Sequence, residues 1–215
     1  MSIGKYIQPK EATHIPEPAI ARFLFADTRM AWLWLIVRVY VGYQWLAAGF
    51  DKLTGYSITV GNTFGTHVGN SWIFTSHLGV VLQSVAKGGV AQAGTNPAVQ
   101  WYGWFLQNVV IPGSGFFTYL ITFGELLVGL GLIFGVLTGI AAFFGVFMNA
   151  NFLLLGAVSI NPIIGGLAMF LILAWRVAGY WGVDRWLLPL LGTPWTGSLA
   201  AQDRKKAKTA QPAAS

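Results

Sequence analysis

Three residues could do chemistry because of where they stand: Arg38 in "MAWLWLIVRVYVGYQWLAAGF", Glu125 in "FFTYLITFGELLVGLGLIF" and Arg176 in "IIGGLAMFLILAWRVAGYWGV". Each is an ionisable group inside an apolar run, a setting that marks ligand sites, proton relays or internal ion pairs. An arginine at the centre of a membrane helix costs ~2.5–3.5 kcal/mol, and each Leu, Ile, Val or Phe returns only ~0.3–0.6 kcal/mol. The eight such residues from Leu33 to Phe50 therefore offset about one arginine. Arg38 needs a partner.

Spacing gives that partner a face to come to. Arg38, Gly42, Trp45, Gly49 and Lys52 recur at steps of four and three, one stripe of a helix, and the glycines allow a second backbone to approach. Gly145, Asn149, Phe152 and Gly156 repeat the pattern, as do Gly165, Met169, Ile172, Arg176 and Gly179. Counting ~1.5 Å per residue puts Arg38 and Arg176 at a similar depth, with Glu125 a few ångströms further out. The expectation is a meeting of Arg38, Glu125 and Arg176, with excess positive charge suited to an anion or to quinone oxygens. Asn149, Asn151 and the glycines serve either this site or ordinary helix packing.

The elements that would position these groups are membrane helices. The chain has 215 residues, 55% hydrophobic and 9% charged, with mean hydropathy +0.60. Soluble domains carry about 25% charged residues. The run from Phe116 to Ile160 would be about 68 Å long as one helix, more than twice a bilayer, so it must fold back at Gly135–Gly139. The expected fold is an all-α integral membrane protein. Its four transmembrane helices, near 30–50, 116–137, 140–159 and 163–183, form a bundle, with Asn161-Pro162 as the second tight turn.

Lys5, Lys10, Arg22 and Arg29 precede the first run, and Arg185, Arg204, Lys205, Lys206 and Lys208 follow the last, while the 51–115 loop holds only Lys52 and Lys87. Both termini should therefore be cytoplasmic, in a multi-pass protein of the cell membrane. The net charge of +6 then reflects topology and anionic lipid, not nucleic acid. Residues 1–29 form a cytoplasmic segment, 30–191 one membrane domain, and 192–215 a basic, disordered tail. No secretory signal peptide is expected, because Met30–Phe50 begins too late and behind acidic residues and prolines. In the outer loop, "SWIFTSHLGVVLQSVAKGG" and "NPAVQWYGWFLQNVVIPG" are too short to span but rich in aromatics, and predict interfacial or re-entrant helices. "PAIARFLFADTRM" either lies along the inner surface or is a disordered lead-in.

Absent chemistry narrows function. With no cysteine, no disulfide relay or iron–sulfur cluster can be built from this chain. His14, His67 and His77 fall outside the spans, which argues against haem, and no metal-ligand spacing occurs. Electrons would have to pass through a diffusible carrier or another subunit.

"RVYVGYQWLAAGFDKLTG", "NPAVQWYGWFLQNVVIPGSGFFTYLITFGELLVGLGLIFG", "GVFMNANFLLLGAVSINP" and "AWRVAGYWGVDRWLLP" resemble, in order and spacing, the DoxX/DoxD family of four-helix membrane proteins, over roughly residues 30–191. The resemblance implies the membrane subunit of a quinone-linked oxidoreductase. In the DoxD type, a second subunit takes part in oxidising thiosulfate to tetrathionate and reducing a quinone. The alternative is a non-catalytic anchor or assembly component of a redox or oxidative-stress complex. On the enzyme reading, Glu125, Arg38 and Arg176 form the catalytic set, and Trp45, Asn149 and Asn151 hold the quinone, with no metal, haem or iron–sulfur cluster. Its partners are membrane lipid and a second redox subunit, and a homo-oligomer is compatible.

Overall fold

A computed structural model describes residues 17–58, 65–75 and 77–191. The basic tail, His14, Lys5 and Lys10 lie outside the described residues. Among the described residues the regular structure is helical, with one isolated antiparallel bridge between Tyr56 and His67. Helix α1 (Ala19–Ala26) leads through a single turn into α2 (Ala31–Thr54), which Gly55 ends in the left-handed conformation, its N–H donating to the Asp51 carbonyl at 2.7 Å. Two helices then fill the segment expected as the outer loop: α3 (Val80–Gly94) and α4 (Gln100–Phe105). A π turn over Leu106–Val110 continues α4, and its wide ladder, Ile111 N–H to Leu106 O at 2.9 Å, precedes Pro112, which has no N–H to extend it.

The long helices follow as α5 (Ser114–Phe134), α6 (Thr138–Leu154) and α7 (Asn161–Leu173). α2 packs on α5, α5 on α6, α6 on α7, and α7 on α2. Thr28–Thr54 and Ser114–Phe134 are long and apolar enough to cross a membrane; α6 and α7 are apolar but shorter. The reversal between α5 and α6 falls within the expected Gly135–Gly139 segment. The next one falls earlier than expected: residues 155–160 turn the chain, with Gly156 at φ +84°, and Asn161-Pro162 instead begins α7, where proline's missing N–H costs nothing. The expected helix over 163–183 is also interrupted. α7 stops at Leu173, and short α8 (Trp175–Ala178) and α9 (Asp184–Leu190) follow.

Two apolar cores result. Trp34, Val41, Trp45, Val128, Leu132, Leu171 and Val177 fill the space among the long helices, and Leu82, Ala86, Tyr102, Leu106 and Val110 fill the space beneath the α3–α4 cap. The outward faces are apolar as well, while Thr118, Thr122, Glu125 and Asn149 point inward and are buried.

Candidate functional site

The register of α2 against α5 decides where the charges go. Gly49 lies against Glu125 and Leu126, Gly42 against Gly129 and Leu132, and Arg38 against Gly135. A Cβ at Gly42 would come within 3.0 Å of the Gly129 carbonyl oxygen, so this approach requires glycine. α5 has therefore ended by the level of Arg38, and α2 overhangs it by about 10 Å at ~1.5 Å per residue. Glu125 and Arg38 occupy different levels.

Glu125, fully buried, meets Lys52 in the last turn of α2. The ammonium donates to both carboxylate oxygens, at 2.7 and 2.9 Å, and lies 5.3 Å from the ring centre of Trp72 and 5.8 Å from that of Phe152. A buried carboxylate needs such a counter-charge. Lysine can supply it here because its stem runs back along α2 while its side chain keeps 20% exposure.

Beside this pair is a cavity of about 310 Å³. Its lining includes Trp45, Trp72, Phe152 and Asn161 together with Lys52 and Glu125. The arrangement offers a cationic donor, an acceptor able to take a proton, an amide and aromatic walls, the few convergent polar groups in an apolar pocket that small-molecule sites have. Trp45, expected at the site, lines the cavity. Its indole N–H has no acceptor and sits beside Gly145.

The other expected residues lie elsewhere. Arg38 is 1% exposed and wedged between Gly135 and Gly182, where neither position has room for a Cβ. Its Nη2 donates to the Trp181 carbonyl at 3.2 Å, and the charge acting on it is that of buried Asp184, not Glu125. Asp184 accepts the N–H groups of Leu137 and Thr138, at 2.6 and 2.8 Å, and so caps α6 from a distant part of the chain. Arg176 falls in α8, exposed, with its guanidinium over the Trp175 ring. The expected meeting of Arg38, Glu125 and Arg176 is thus replaced by two separate nodes.

Asn149 is buried behind the cavity, its Nδ2 3.4 Å from Asn161 Oδ1 and its Oδ1 filling the space a side chain on Gly165 would need. Asn151 faces the cap: its backbone and side-chain oxygens accept the Tyr102 hydroxyl at 3.1 and 3.3 Å. Lys52, Asn161 and Asp184 were missed as functional residues. Only Lys52 carried a sequence signal, its place on the Arg38–Trp45 stripe.

Comparison with protein-family models, with curated proteins and with solved structures returns no match.

Proposed function

We propose that the chain is a multi-pass component of a cell membrane, with α2, α5, α6 and α7 as its spans. In this reading it binds a quinone headgroup in the cavity beside Lys52 and Glu125. The inverted pattern supports the membrane assignment: Glu125 is fully buried, while its neighbour on the opposite face, Leu127, is 69% exposed. Phe143, Phe147, Ile163 and Phe170 present a similar apolar surface on α6 and α7, unsuited to water. Arg22, Arg29 and Arg185 flank the bundle on the side assigned to the cytoplasm.

The observation that carries the ligand reading is the buried Lys52–Glu125 pair on an aromatic cavity. The ammonium donates to a quinone oxygen and stabilises the negative charge that develops there on reduction. Glu125 hands on a proton. The quinone gains two electrons and two protons as it becomes quinol, and the electrons come from a second subunit. Following the DoxX/DoxD resemblance, that partner oxidises thiosulfate to tetrathionate.

Quinone binding to the protein in nanodiscs, followed by quenching of tryptophan fluorescence, tests the reading. Saturable quenching lost in Lys52→Met and weakened in Glu125→Gln is expected; quenching that persists unchanged in both overturns it. A second reading, a non-catalytic anchor, draws support from Trp101 and Trp104, exposed side by side on the cap. On that reading Trp101→Ala/Trp104→Ala releases a co-purifying redox subunit from a chain that shows no saturable quinone binding of its own.

A further inference from the structure

The α3–α4 cap is fastened differently at its two edges. Both of its ends come together at the head of α5. Gly79, at φ +89°, enters α3 so close to that helix that a Cβ there would stand 2.6 Å from Ser114 Oγ and 3.0 Å from the Gly115 amide nitrogen. The Gln83 side chain donates to Ser114 Oγ at 2.9 Å, and the chain returns to the same point through the π turn, Pro112 and Gly113. A left-handed glycine at the entrance and a π turn at the exit are backbone features at which chains bend.

At the opposite edge the cap meets the end of α6 through side chains. The Tyr102 hydroxyl donates to Asn151, Gly89 lies against Leu155, and the Gln92 amide fills the space beside Gly156. The cap also has buried residues of its own, Leu82, Ala86, Tyr102, Leu106 and Val110, apart from the core among the long helices. A unit with its own core, rooted at one edge and tied at the other by a neutral hydrogen bond, is built to swing as a body.

Under the tied edge lies the cavity. Leu82 and Val85 of α3, and Leu155 at the end of α6, line it together with Lys52 and Glu125. Gly89 rests on that same Leu155, so parting α3 from α6 breaks the cavity wall. We propose that the cap is a hinged lid: it turns about the head of α5, and release of Tyr102 from Asn151 lets water into the Lys52–Glu125 cavity. Closed, the lid keeps the ion pair in an apolar surround, where its attraction is strongest. Open, it exposes both charges to solvent and lets the contents of the cavity exchange. The lid belongs to the fold and holds whatever the cavity binds.

The chain has no cysteine, so thiols can be placed singly. Ala48 lines the cavity one turn from Lys52. Ala48→Cys is exposed in nanodiscs to a charged, water-soluble maleimide, and labelling at that residue is followed by mass spectrometry. The latch is one neutral hydrogen bond, so adding Tyr102→Phe should speed labelling about fivefold. A Cβ on Gly89 would lie 3.8 Å from Leu155 Cγ, close enough for Gly89→Cys/Leu155→Cys to form a disulfide. With that pair added, the oxidised protein should label at Ala48→Cys more slowly than the same protein reduced. Oxidation should also restore slow labelling in the Tyr102→Phe background, which assigns the faster rate to release of the cap and not to loosening elsewhere.

Equal rates in the parent, Tyr102→Phe and oxidised proteins overturn the lid. Fast labelling that persists in the oxidised Tyr102→Phe protein does so too, as does failure of the pair to form its bridge. No quinone enters the measurement, so its failure leaves the headgroup reading standing, and absence of quinone binding leaves the lid standing.

Discussion

The two ends of α2 each bury a cation opposite a carboxylate, about 21 Å apart along the helix, and only one of them has room for a ligand. At the outer end Lys52 and Glu125 share a cavity with Trp45, Trp72 and Phe152. At the inner end Arg38 is packed between the backbones of Gly135 and Gly182, and the Asp184 carboxylate is committed to two backbone N–H groups. Both cations answer the same electrostatic demand, that a buried charge be compensated, Lys52 by direct contact with Glu125 and Arg38 by the Trp181 carbonyl and, at longer range, the charge of Asp184. The space around the pair separates a site from a clamp. The inner node joins α2, the α5–α6 turn and α9, and the Val183 and Asp184 N–H groups, donating to the Phe134 and Gly135 carbonyls, complete it.

The comparison breaks most visibly at the clamp. Asp184→Ala strips the N-terminus of α6 of two acceptors and leaves Arg38 buried without its opposite charge. Each lost hydrogen bond to the charged carboxylate costs about 1.5–3 kcal/mol, and there are two of them, so a fall in melting temperature larger than that of any site variant is expected in detergent. Quinone affinity of the protein that remains folded should stay at the wild-type level. Arg38→Met should behave alike with a smaller loss, because methionine fills the stem's volume; loss of quinone affinity at unchanged stability would move Arg38 back into the site.

At the outer node the effects should reverse. Lys52→Met leaves Glu125 buried and uncompensated, but Lys52 retains partial exposure and water can reach the gap. A stability loss of about 2 kcal/mol is therefore expected, below the clamp's, since hydrogen bonds to charged groups contribute about 1.5–3 kcal/mol. Quinone affinity should fall at least tenfold. Glu125→Gln keeps the shape and loses the acceptor of protons. It should slow quinone reduction by the assembled complex more than it weakens binding, as kcat and KM measured separately would reveal.

Which of these two nodes could be read in the sequence follows from what each depends on. The stripe through Gly42, Trp45 and Gly49 identified the buried face of α2, because helical periodicity is local. The partners on that face depend on the stagger of α2 against α5, which counting from apolar boundaries gets wrong when one helix overhangs the other. A common level for Arg38 and Glu125 followed from assuming flush ends, and the close Gly42–Gly129 approach fixes a different register. Asp184 was invisible for another reason. It follows the last apolar run in "YWGVDRW", where an acidic residue looks like a solvated flank, and only the return of the chain over the α5–α6 turn buries it. The outer cap was legible in outline from its aromatics, whereas its attachment through Tyr102 to Asn151 spans 49 positions and leaves no periodic trace.

That attachment gives the smallest effect and the finest test of the contrast, because Leu82 and Val85 of the cap line the cavity. Burial pushes the Tyr102 phenol up to about 12, and its neutral hydroxyl donates to Asn151. The folded state therefore favours the neutral form: its contribution is intact below the ordinary tyrosine range near ~10 and is lost as pH rises towards 12. Tyr102→Phe removes the hydrogen bond and the titration together, at a cost of about 1 kcal/mol. In a phenolate absorbance titration, the latest-ionising tyrosine of the wild type should be missing from this variant. If the cap guards the site, hydrogen exchange over α3 and α4 should quicken in Tyr102→Phe with no change around Arg38 and Asp184. Quickened exchange at both ends would mean that the two nodes are one cooperative unit, and the division between site and clamp would fail.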